Sequence, residues 1–141
     1  MMPGRILGID LGEKRIGLAL SDPAGLIASP MGKIEFRGKE QLLQELEKLI
    51  KEREVAEIVV GLPIRTSGLK GKEALKAESF AQTLKERLGL PVHLFDERMS
   101  TSAAEKAMLE GDLSRRRRKE IRDQVSASII LSGFLESRRT A

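Results

Sequence analysis

The stretch Arg5-Ile6-Leu7-Gly8-Ile9-Asp10-Leu11-Gly12-Glu13-Lys14-Arg15-Ile16-Gly17-Leu18-Ala19-Leu20-Ser21 decides how this chain folds. It reads as two strands, Arg5 to Asp10 and Arg15 to Ser21, joined by the tight connection Leu11-Gly12-Glu13-Lys14, so the chain opens antiparallel. An Asp22-Pro23-Ala24-Gly25 turn leads to a third extended run near Gly32 to Phe36.

Beyond this point the hydrophobic period changes from two to that of a helix. Leu42, Leu43, Leu46, Leu49 and Ile50 share one face of a helix from Lys39 to Arg53, and Glu57 to Gly61 is then a buried strand. Ala77, Phe80, Ala81, Leu84 and Leu88 mark a second helix that Gly89 ends. Val92 to Phe95 is the last strand, running into Asp96-Glu97. Ser100 or Thr101 can cap a third helix carrying Ala103, Ala104, Ala107 and Met108, which Gly111 breaks. The basic run Arg115 to Lys119 opens a final helix that reaches about Ser137. Three antiparallel strands, then αβαβ, then two helices predict an α/β fold: a mixed five-stranded sheet flanked by helices on both faces. The Glu57–Gly61 and Val92–Phe95 runs are continuously apolar, so both are expected to be covered on two sides. With no repeat or linker, residues 1–141 are expected to form one domain.

Composition narrows the chemistry. The absence of cysteine excludes disulfides, thiolate metal sites and a thiol nucleophile. No apolar run approaches the roughly 18 residues of a membrane helix and no secretory signal opens the chain, so a cytoplasmic protein without a membrane partner is expected. Charge is uneven: up to Glu97 there are fifteen basic and fifteen acidic residues, and beyond it ten against six, which accounts for the whole net charge of +4. That local excess suits a polyanion such as nucleic acid, or else a solvated face. There is no Trp or Tyr and only four Phe, which disfavours base-stacking platforms.

Three acids stand where chemistry is expected. Asp10 ends an apolar strand and precedes Leu11-Gly12, where backbone can turn closely around a ligand. Glu97 leaves the last strand; if the two later strands flank the first, it projects at the same sheet edge as Asp10. Adjacent extended residues face opposite ways, so with Glu97 inward Asp96 points elsewhere. Asp123 shares a helical stripe with Ala127, Ile130 and Phe134, where an unpartnered carboxylate is costly. Converging carboxylates can hold Mg²⁺ or Mn²⁺ for phosphodiester hydrolysis, so no protein nucleophile is required. The single histidine, His93, lies within a strand and reads as a packing residue rather than a general base.

Basic residues flank each acid: Lys14 and Arg15 near Asp10, Arg98 beside Glu97, and Arg115, Arg116, Arg117, Arg118 and Lys119 before Asp123. They are candidates for phosphate contact. A strand-end loop, Gly61-Leu62-Pro63 with Arg65, Thr66, Ser67 and Gly68, brings Arg65 with Lys70 and Lys72 to the same edge.

These elements together resemble the YqgF (RuvX) family: Gly8-Ile9-Asp10-Leu11-Gly12 with Lys14-Arg15-Ile16-Gly17, Gly61-Leu62-Pro63 with Gly68, Asp96-Glu97-Arg98 with Ser100-Thr101, and Asp123 in a C-terminal helix. The resemblance spans almost the whole chain in order. It implies a ribonuclease-H-like fold related to Holliday junction resolvases, an acidic triad at Asp10, Glu97 and Asp123, and a role in processing the 5′ end of pre-16S rRNA in the bacterial cytoplasm. The chain departs from the family at Arg65-Thr66-Ser67, where Asn and Asp are common, and at Ser126 and Ser128, where Ala is usual.

Three alternatives follow from the same residues. Symmetric cleavage of branched four-way DNA would need two sites and hence a homodimer, whereas trimming pre-rRNA can be done by a monomer. A nucleotide-dependent kinase shares the opening Gly-x-Asp-x-Gly but needs a second phosphate loop and domain. A non-catalytic nucleic-acid-binding protein would need only the basic C-terminal third.

Overall fold

The computed structural model describes residues 4–63, 69–97 and 115–139, with positions 115–125 described as helical backbone alone. Strands β1 (Arg5–Leu11) and β2 (Arg15–Ser21) form the expected hairpin, closed where Gly12 N–H donates to the Arg15 carbonyl at 3.0 Å. At the Asp22 turn, one carboxylate oxygen accepts the N–H groups of Leu26 and Ile27 at 2.7 and 2.8 Å, which holds this carboxyl below its ordinary range. Gly25 takes φ 71° there, a conformation glycine adopts without a Cβ penalty. Strand β3 (Ala28–Glu35) starts earlier than its apolar content suggests, because it is an exposed edge strand defined by its pairing with β2.

Helix α1 (Lys39–Glu52), strand β4 (Val55–Leu62), helix α2 (Lys72–Leu88), strand β5 (Val92–Asp96) and helix α3 (Arg115–Arg139) complete the described elements. Gly89, at φ 67°, ends α2 as the sequence predicts. The helix expected between Ser100 and Gly111 lies outside the described residues.

The sheet is mixed, in the order β3-β2-β1-β4-β5, with β1, β4 and β5 parallel. Leu42, Leu43, Leu46 and Ile50 of α1 and Ala77, Phe80, Ala81 and Leu84 of α2 pack with Leu7, Ile9, Leu18, Ile58 and Val60 on one face. On the other face α3 lays Ala127, Ile130, Leu131, Phe134 and Leu135 over Ile6, Ala19 and Val59. Helices thus cover both faces, and β4 is sandwiched as expected. The two-sided burial expected of Val92–Phe95 does not hold: β5 is an edge strand, and Leu94 remains 39% exposed. Its apolar run could not reveal that, among the described residues, only β4 pairs with it.

Candidate active site

The carboxyl ends of the parallel strands β1, β4 and β5 lie at one edge of the sheet, where open α/β sheets place ligands. Side chains alternate along β1, so Leu7 and Ile9 enter the α1–α2 core while Ile6, Gly8 and Asp10 face α3. On β5 the same alternation sends Phe95 toward α3, and Glu97, the first residue past the strand, follows it. The expectation that both later strands flank β1 is corrected here: β4 stands between β1 and β5. Glu97 nevertheless reaches Asp10 across β4, because the intervening residue, paired with Phe95, is Gly61. A Cβ at Gly61 would fall 2.8 Å from Glu97 Oε1 and 2.5 Å from Ile130 Cδ1.

Glycines also set how closely α3 approaches. A Cβ at Gly8 would lie 2.9 Å from the Leu131 Cβ and 3.2 Å from the Ala127 carbonyl oxygen, so the helix backbone rests almost on the strand. Around Gly17, the cross-strand partner of Asp10, the side chains of Asp10, Ser126 and Ala127 converge. There the Ser126 hydroxyl donates to Asp10 Oδ2 at 2.7 Å. Sequence reasoning registered Ser126 only as a departure from the family's Ala. The available signal was its place one turn after Asp123 on α3.

The pair of acids is electrostatically tense. Burial, then the charge of Asp10 and a hydrogen bond with it, and finally the charge of Asp96, push the Glu97 carboxyl up from 4.5 to about 7. Every one of these influences acts against ionisation. Two such carboxyls share one place only with a proton or a cation between them.

The remaining predicted residues are distributed unevenly. Asp123 belongs to α3, and its side chain lies outside the described residues, as do those of Arg115, Arg116, Arg117 and Arg118 on the same helix. Arg65 and Arg98 also fall outside them. Lys14 and Arg15 are exposed at the hairpin, and neither forms an ion pair with Asp10 among the described residues. Lys70, a candidate phosphate contact, is instead 3.3 Å from Glu78. Among the described residues no three His, Asp or Glu side chains cluster as a metal site would require, so Asp10 and Glu97 are the described part of the predicted triad. His93 is a packing residue as read: its ring lies 5.1 Å from that of Phe134, with Nε2 3.1 Å from Glu57. Arg138 closes this cluster by a two-pronged hydrogen bond to Glu57 at 2.6 and 2.7 Å, which lowers the Glu57 pKa.

Residues 4–137 match the RuvX family, described as Holliday junction resolvase. A relative from Syntrophomonas wolfei is 46% identical over 132 residues, covering 94% of each chain. One from Moorella thermoacetica is 47% identical over 132 residues, again covering 94% of each, and one from Clostridioides difficile 43% over 136, covering 96% of each. All three bear the name of candidate pre-16S rRNA nucleases. Among solved structures, RuvC of Thermus thermophilus in complex with a Holliday junction substrate superposes with a TM-score of 0.64 at 11% identity, covering 97% of this chain and 96% of that one. At that identity the likeness concerns the fold, which is ribonuclease-H-like as the sequence resemblance implied. With nearly the whole chain matched and close relatives aligned end to end, this protein belongs to the RuvX (YqgF) family of nucleases.

Proposed function

We propose that this chain hydrolyses nucleic-acid phosphodiester bonds with a divalent cation, Mg²⁺ or Mn²⁺, held by Asp10, Glu97 and Asp123. The observation that carries the reading is the meeting of Asp10 and Glu97 at one half-buried point, where their side chains are hydrogen-bonded and the charge of Asp10 opposes ionisation of Glu97. Carboxylate oxygens alone form a donor set suited to a hard cation, and a cation between them would favour the ionised Glu97 that burial and the charge of Asp10 oppose. Asp123 is assigned to the set because it lies one helical turn before Ser126, which bonds to Asp10. When bound, the metal supplies Lewis acidity toward phosphoryl oxygens and acidifies an attacking water. The protein's own part is to hold ionised oxygens at fixed positions and to seat the substrate backbone through Lys14, Arg15, Arg65, Arg98 and Arg115 to Arg118.

The proposed substrate is the 5′ end of pre-16S rRNA, handled by a monomer in the cytoplasm. The names of the relatives at 43–47% identity support it, as does the lack of stacking aromatics, which suits recognition through phosphates. Among the described residues no helix is long and apolar enough to cross a membrane. The family description favours a second reading, cleavage of four-way DNA junctions by a homodimer. Matched RNA and junction-DNA substrates incubated with added Mg²⁺ or Mn²⁺ decide between them. Asp10→Asn is expected to abolish cleavage of whichever is cut while leaving the circular-dichroism spectrum and low-salt binding unchanged. Undiminished cleavage by that variant rules out the metal site.

A further inference from the structure

We infer that Ser126 is a positioning residue for Asp10: its hydroxyl fixes one carboxylate oxygen so that the other is presented to the metal. The inference rests on the metal-site reading above and adds a residue to it.

Three observations carry it. The Ser126 Oγ to Asp10 Oδ2 distance is 2.7 Å between residues 116 positions apart, within the range of a hydroxyl donating to a charged carboxylate. The donor is also held firmly. Ala127, its neighbour, is 2% exposed, and α3 sits at a depth set by Gly8 and Gly61, where the Leu131 Cβ and Ile130 Cδ1 fill the room a Cβ would take. Finally, the bond is made beside Gly17, the cross-strand partner of Asp10, where the side chains of Asp10, Ser126 and Ala127 come together. The terminal torsion of an aspartate is broad and nearly two-fold, so a carboxylate without such a donor samples many orientations. One fixed donor on Oδ2 selects a single orientation and does so without using the other oxygen. Hydrogen-bond partners of metal-binding carboxylates characteristically act this way, and losing one typically costs about 10- to 100-fold in metal affinity.

The test is calorimetric titration of the full chain with Mn²⁺, without substrate, for wild type, Ser126→Ala, Ser126→Thr and Asp10→Asn, with Tm measured beside each. Ser126→Ala should weaken Mn²⁺ binding about 10- to 100-fold at an almost unchanged metal-free Tm. Ser126→Thr, which keeps the hydroxyl, should bind near the wild-type level. Raising Mn²⁺ should restore cleavage to Ser126→Ala and not to Asp10→Asn. Wild-type Mn²⁺ affinity in Ser126→Ala overturns the inference, and so does a weakening that Ser126→Thr shares in full together with a lowered Tm, since that marks a packing role. If Asp10→Asn itself binds Mn²⁺ as wild type does, the metal reading fails and the inference falls with it.

Discussion

Gly61 is the gap through which Glu97 meets Asp10: the missing Cβ would stand 2.8 Å from Glu97 Oε1, in a strand that separates the two acids in the sheet. The same missing atom makes room for Ile130 of α3. One glycine therefore serves both the seat of the helix and the approach of the carboxylates, and substitutions can separate the two roles.

Gly61→Ala should destabilise the fold by about 1–3 kcal/mol, the usual cost of overpacking, and should depress cleavage strongly. Adding Ile130→Val removes the Cδ1 that the new methyl would strike at 2.5 Å, so the double variant should regain most of its Tm. Its activity should stay low, because the clash with Glu97 remains. Recovery of cleavage together with Tm would mean that Gly61 matters only for helix packing.

The raised Glu97 pKa has a pH signature in the metal-free protein. The folded state holds this proton more tightly than the unfolded chain, so the contribution is fully present below about 4.5 and lost as pH rises through about 7. Between those values metal-free wild type should lose Tm relative to Glu97→Gln, and Mg²⁺ or Mn²⁺ should restore it near pH 7. Parallel Tm-against-pH curves for the two proteins would contradict this.

The basic residues opening α3 should govern affinity rather than the chemical step. Neutralising Arg115 to Arg118 together should reduce the log–log salt slope of substrate binding by up to about 3, with kcat at saturating substrate unchanged. An unaltered slope would reassign these charges to solvent.

Arg138 should act on stability alone. It bonds Glu57 at 2.6 and 2.7 Å and lies 4.6 Å from the centre of the Phe134 ring, on the same face as the candidate site. Arg138→Ala should cost about 1 kcal/mol, since the pair is partly exposed, and His93→Gln should leave cleavage intact. Loss of cleavage in His93→Gln would return the imidazole to consideration as a general base.

The element order, the helical faces of α1 and α2 and the alternation along β1 and β2 were legible in the sequence because each rests on a local period, two or 3.6 residues, imposed by one buried side. Alternation also required that only one of Asp96 and Glu97 share a face with Asp10, and the structure shows that it is Glu97. The family motifs named the three acids, two of which the structure places together. Tertiary structure alone decided which strands are neighbours, that β5 is an edge, that Gly8 and Gly61 are the bed of α3, and that Ser126 reaches Asp10. Those outcomes depend on pairing register and helix depth between segments tens of residues apart, and a chain's local pattern carries the parity of its side chains but not the identity of what they will meet.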